Sequence, residues 1–80
     1  MEKYTMFLYK NKNLAFGNNF DSLREIKKEL YYIIIEKKPN LENSGFLKML
    51  LSRKKLKDLV FDLECLNNKT GLKIEIIKNK

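Results

Sequence analysis

Leu23, Ile26, Leu30, Ile33 and Ile34 fall within about 100° of arc when the chain is wound at 100° per residue. So narrow a stripe commits this stretch to a helix with one buried face, and that face needs an apolar layer to lie against. Its signals agree at both ends. Ser22 and Glu25 stand at capping-box spacing, with Asp21 as an alternative N-cap beside the apolar Phe20. The helix should run to Glu36 or Lys37, where basic groups suit the C-terminal dipole and Pro39 follows. A strand over 31–35 competes, but no turn separates it from the helix before it.

Alternating segments at the two ends of the chain supply the layer. In Tyr-Thr-Met-Phe-Leu-Tyr (4–9), Tyr4, Met6 and Leu8 share a face; Asn11-Lys12-Asn13 is turn chemistry, and Leu14-Ala15-Phe16 resumes the apolar run before Gly17-Asn18-Asn19. This spacing predicts an N-terminal β-hairpin. At the other end Leu72, Ile74 and Ile76 alternate with Lys73 and Glu75 in a closing strand.

Between them, residues 40–45 read as a loop and cap, and Phe46, Met49 and Leu50 give a short helix to about Leu51. Residues 52–66 carry two periods. Leu56, Leu59, Val60, Leu63 and Leu66 occupy about 120° of arc on a helix, whereas Leu59, Phe61, Leu63 and Cys65 alternate as a strand would. The helix accounts for five apolar positions and leaves every charge outside the stripe, so it is preferred over Ser52 to Leu66, with Gly71 ending the connection that follows. The expectation is an α+β fold in ββαααβ order, a three-stranded sheet with helices packed on one face, formed by residues 1–80 as one small domain.

Eighty residues leave no room for a cofactor domain beside a substrate domain. At 44% hydrophobic and 34% charged, the composition suits a small core rather than a disordered tail. The start, Met1-Glu2-Lys3-Tyr4, lacks the layout of a signal peptide, and the longest apolar run, Leu30 to Ile35, is far too short to span a bilayer. A lone Cys65 fits a reducing compartment. A cytoplasmic protein without a membrane partner is expected.

The chain has no His, the usual general base near neutral pH, and Cys65 has no activating base near it in sequence. No catalytic residue, metal ligand or cofactor is assigned. The one arrangement that invites metal chemistry is Asp58 and Asp62 at i, i+4 with Glu64, the donor set of a small metal-dependent nuclease. Surface pairing such as Lys54–Asp58 explains these carboxylates more simply and puts Asp58 and Asp62 on the outside.

Binding chemistry is better supplied. Seventeen Lys and Arg stand against ten Asp and Glu, a net charge of +7 spread over both halves, so any positive patch must be assembled by folding. Only Arg24 and Arg53 are arginines, and lysine suits phosphate contact better than bidentate base reading. Arg53, Lys54, Lys55 and Lys57 crowd a helix start, where the dipole disfavours cations and free N–H groups would welcome an anion. Together with Lys37 and Lys38 they form the expected nucleic-acid or anion surface. Tyr31, Tyr32 and Ile35, off the buried stripe and framed by Lys27, Lys28, Lys37 and Lys38, form the expected protein interface or base-stacking patch.

In size, charge and lack of catalytic equipment the chain resembles in type the small proteins that bacteriophages encode to block host machinery, anti-CRISPR proteins among them. That resemblance implies a host protein target and steric occupation of a guide- or target-binding channel. The expected function is non-enzymatic docking on nucleic acid or a nucleic-acid-loaded protein complex. The alternative is a protein–protein module or homodimer using the Tyr31, Tyr32 and Ile35 patch.

Overall fold

A computed structural model describes residues 3–10 and 12–79. The elements follow the order β1 (Tyr4–Lys10), β2 (Asn13–Phe20), α1 (Leu23–Lys37), a 3-10 turn (Pro39–Leu41), α2 (Gly45–Leu51), α3 (Leu56–Thr70) and β3 (Lys73–Lys78). The fold is α+β. β1 is central in a three-stranded sheet of order β2-β1-β3, antiparallel to both neighbours.

Strand alternation sorts the sheet into two faces. Met6, Leu8 and Ile74 point to the helices and join Ile26, Leu30, Ile33, Ile34, Leu47, Leu50, Leu59, Leu63 and Leu66 in one core. Tyr4, Phe16, Phe20 and Ile76 close its margin. The other face carries Thr5, Phe7 and Tyr9 of β1, Leu14, Gly17 and Asn19 of β2, and Lys73, Glu75 and Ile77 of β3, by register. All three helices feed the first face.

The α1 stripe is buried as its spacing predicts, with Leu23 half-buried at the end. Ser22 Oγ accepts the Glu25 N–H at 3.3 Å, and Glu25 Oε2 accepts the Asp21 N–H at 2.9 Å, so the capping box reaches one residue further back than its usual form. α3 ends at Gly71, whose φ of 77° lies in the left-handed region that glycine enters freely.

Four expectations need correction. β2 does not stop at Phe16 but continues through Gly17-Asn18-Asn19 to Phe20. Cross-strand contacts outweigh the turn propensity of those residues. Thr5 Oγ1 donates to Asn19 Oδ1 at 2.7 Å, and the Phe7 ring lies so close over Gly17 that a Cβ there would meet its Cδ1 at 3.2 Å. In the turn, Lys12 has a φ of 70°, while Asn11 lies outside the described residues. In α2 the buried pair is Leu47 and Leu50, with Met49 exposed.

Third, α3 is a helix but starts at Leu56 rather than Ser52 and runs past Leu66 to Thr70. Ser52 closes α2: its N–H donates to the Lys48 and Met49 carbonyls at 3.1 Å, and its Oγ donates to Met49 O at 2.7 Å. Fourth, Asp62 is not a surface residue. It is 1% exposed, on the apolar side of α3 among Leu59, Leu63 and Leu66. Periodicity cannot foresee this, because the group that neutralises Asp62 lies on another segment.

At the sheet edge, Asn67 of α3 holds Ile74 with both ends of its amide. Its Nδ2 donates to Ile74 O at 3.2 Å and its Oδ1 accepts the Ile74 N–H at 3.1 Å. The side chain imitates one more strand and occupies polar groups that an edge strand otherwise presents.

Candidate functional site

The site begins with a salt bridge that removes one cation from the expected patch. Arg53 Nε donates to Asp62 Oδ2 at 2.6 Å and its Nη2 donates to Oδ1 at 3.3 Å. This bidentate pairing satisfies the buried carboxylate. The hydrogen bond to Asp62, with added attraction from Asp62 and Asp58, raises the Arg53 pKa above the ordinary arginine value despite some desolvation. The charge of Arg53 is therefore met from inside. Its backbone also works: Lys27 Nζ donates to Arg53 O at 2.8 Å, tying the α2–α3 connector to the first half of α1.

That tie brings two basic segments side by side. On α1, Arg24, Lys27, Lys28 and Tyr31 stand at i, i+3, i+4 and i+7, one face of the helix. Together with Ser22, Glu25, Tyr32 and Leu51 they line an open groove of about 710 Å³. Lys54 and Lys55, both exposed, follow directly from the anchored Arg53 carbonyl. Lys55 is the N-cap of α3 without a side-chain capping bond, and Lys57 is the cation that stands in its first turn, where Asp58 partly offsets it. The four-cation helix start expected from sequence is thus a basic connector with one lysine inside the helix.

Tyr32 is the aromatic group this surface offers. It is 59% exposed, and Tyr31 packs edge-on against it with ring centroids 5.7 Å apart. Tyr31 and Ile35 are half-buried and pack on the core margin, so the expected three-residue patch contains one exposed ring on two supports. A second open groove of about 620 Å³ lies on the other side of Tyr32, with Asp21, Glu25 and Glu29 against Lys28. The two sides differ in sign. Three cations and one carboxylate line the first groove, and that carboxylate, Glu25, already accepts a backbone N–H.

Lys37 and Lys38 are not part of this surface. They lie ten or more residues along α1 from Lys27, about 15 Å at 1.5 Å per residue. Lys37 borders Leu8, Tyr9 and Leu72, and Lys38 borders Leu41, Phe46 and Lys69. The structure adds Arg24, which sequence reading passed over, and its spacing from Lys27, Lys28 and Tyr31 was the available signal.

Asp58, Asp62 and Glu64 do not converge: Asp62 faces inward to Arg53, whereas Glu64 is exposed. No cluster of three His, Cys, Asp or Glu with metal-binding geometry occurs among the described residues. The described ion pairs are Arg53–Asp62 and Lys73–Glu75, so the expected Lys54–Asp58 pair is not made. Cys65 is half-buried. No helix among the described residues is long and apolar enough to cross a membrane. Compared with known protein families, curated proteins and solved structures, the chain matches none.

Proposed function

We propose that this protein is a non-enzymatic binder of nucleic acid, free or held in a nucleoprotein complex, and that it contacts a single strand across α1 and the α2–α3 connector. The observation that carries this reading is the Lys27–Arg53 hydrogen bond, which puts the basic face of α1 beside Lys54 and Lys55. Phosphates would follow Arg24, Lys27, Lys28, Lys54 and Lys55, with Lys57 at the far end. Tyr32, at the border of the basic groove, would stack on an unpaired base. The acidic second groove favours a path on one side of Tyr32 and disfavours the other.

Lysine point charges and a single stacking ring suit affinity without sequence reading. On a nucleoprotein target, the same contacts would occupy a guide- or target-binding channel and block it sterically.

Fluorescence anisotropy with a labelled single-stranded oligonucleotide, titrated with salt, tests the proposal. Counterion release predicts that log K falls linearly with log salt, by about 0.7 per phosphate contact on a single strand. Lys28→Glu combined with Lys54→Glu should flatten that slope by about two contacts and weaken binding to a matched duplex as well. Binding that ignores both salt and these substitutions would exclude this surface.

A further inference from the structure

The sheet face turned away from the helices differs from the rest of the molecule in charge. On a chain of net charge +7, the ionic groups that the described strands place on it are Lys73 and Glu75, which pair with each other at 3.6 Å, while Lys3, opposite Asn79, continues β1 at one end of the face. The remainder is largely apolar. Phe7 and Tyr9 lie along the central strand with ring centroids 6.3 Å apart, Leu14 is 58% exposed on one side and Ile77 is 49% exposed on the other. Lys73 Nζ sits 5.2 Å from the centre of the Tyr9 ring, which spends that cation within the face.

We infer that this open face is where two copies of the chain associate, sheet against sheet. Charge argues for a second copy over a nucleic acid: Glu75 stands opposite Phe7 in the register, and Lys73 is already engaged. For two molecules of net charge +7, a face with so little unpaired charge is one where approach meets less repulsion. Edge-to-edge pairing is hindered on both sides. Asn67 occupies the Ile74 N–H and C=O on β3, and a bulge between Leu8 and Tyr9 breaks the register with β2. Three strands about 4.8 Å apart, six residues long at about 3.3 Å each, make a plate of about 14 by 20 Å. A contact of that size belongs with weak, transient interfaces, so the dissociation constant should fall between about 10 µM and 1 mM.

This association is independent of the proposed nucleic-acid contact, and salt separates them. Screening the mutual repulsion should strengthen the dimer, whereas phosphate binding weakens. Sedimentation equilibrium on the nucleic-acid-free protein should show a monomer–dimer equilibrium that tightens as salt rises. Ile77→Lys and Leu14→Lys, each at an exposed position, should keep the wild-type circular dichroism and weaken the dimer by about tenfold or more. Dilution of the wild type, followed by amide chemical shifts, asks the same question without substitution: the shifts should centre on Phe7, Tyr9 and Ile77. A protein monomeric at 1 mM in high salt (~0.5 M, well screened), a dimer unaffected by a folded variant, or dilution shifts centred on α1 would each overturn the inference.

Discussion

Arg53 and Asp62 form a bidentate pair of unequal exposure: the guanidinium side chain is 33% exposed and the carboxylate side chain 2%. Removing either partner therefore has different consequences. Without Arg53, a carboxylate is left unpaired among Leu59, Leu63 and Leu66; without Asp62, the guanidinium can turn to water. Arg53→Met should lower the melting temperature more than Asp62→Leu, and the double variant should recover most of the loss. In the wild type, the raised Arg53 pKa means that its contribution is complete below the ordinary arginine value and is lost only above it. Thermal denaturation across pH checks both the ordering and the sign.

Lys55 caps α3 without a side-chain bond, and its charge opposes the helix dipole. Lys55→Asp supplies an acceptor and reverses the charge, and should stabilise the fold by about 1 kcal/mol. The same change should weaken oligonucleotide binding and lower its salt slope by about 0.7 or more. Chemical denaturation beside a salt titration reads the two effects, which are expected to run in opposite directions. Lower stability would mean that Lys55 has a structural partner.

Tyr32 and its neighbours separate a binding role from a packing role. Tyr32→Ser should change stability by no more than about 0.5 kcal/mol, since the ring stands in solvent. It should weaken single-strand binding by about 1–3 kcal/mol, the usual worth of stacking one base, and affect duplex binding less. Tyr31→Ser and Ile35→Ser should instead lower the melting temperature, because both side chains pack against the core. Unchanged anisotropy titrations for Tyr32→Ser would remove stacking from the proposal.

Gly71→Ala tests backbone conformation alone. A Cβ there would meet nothing within 4 Å, so the cost is confined to the left-handed φ of 77°. It should be about 1–2 kcal/mol, a loss of several degrees in melting temperature. Oligonucleotide binding should stay unchanged, and a neutral substitution would show that the helix end can relax.

What the sequence determined by itself was whatever a single element decides alone. The α1 stripe, the Ser22–Glu25 cap, the hairpin and the closing alternation of Leu72, Ile74 and Ile76 rest on spacing and residue type, properties of a few neighbouring residues. Lys27, Lys28, Lys54 and Lys55 were visible as charges, but not as neighbours. Only the tertiary structure decided where partners from distant segments meet. It buried Asp62, which periodicity leaves outside the apolar stripe, because Arg53 reaches it from before the helix. It carried β2 through Gly17-Asn18-Asn19, because Phe7 covers the glycine and Thr5 holds Asn19. It separated Lys37 and Lys38 from the basic surface and added Arg24, because a helix fixes distance and face together while charge composition carries neither. A residue's periodicity is local, whereas its burial and its charge partners depend on which segment packs against it.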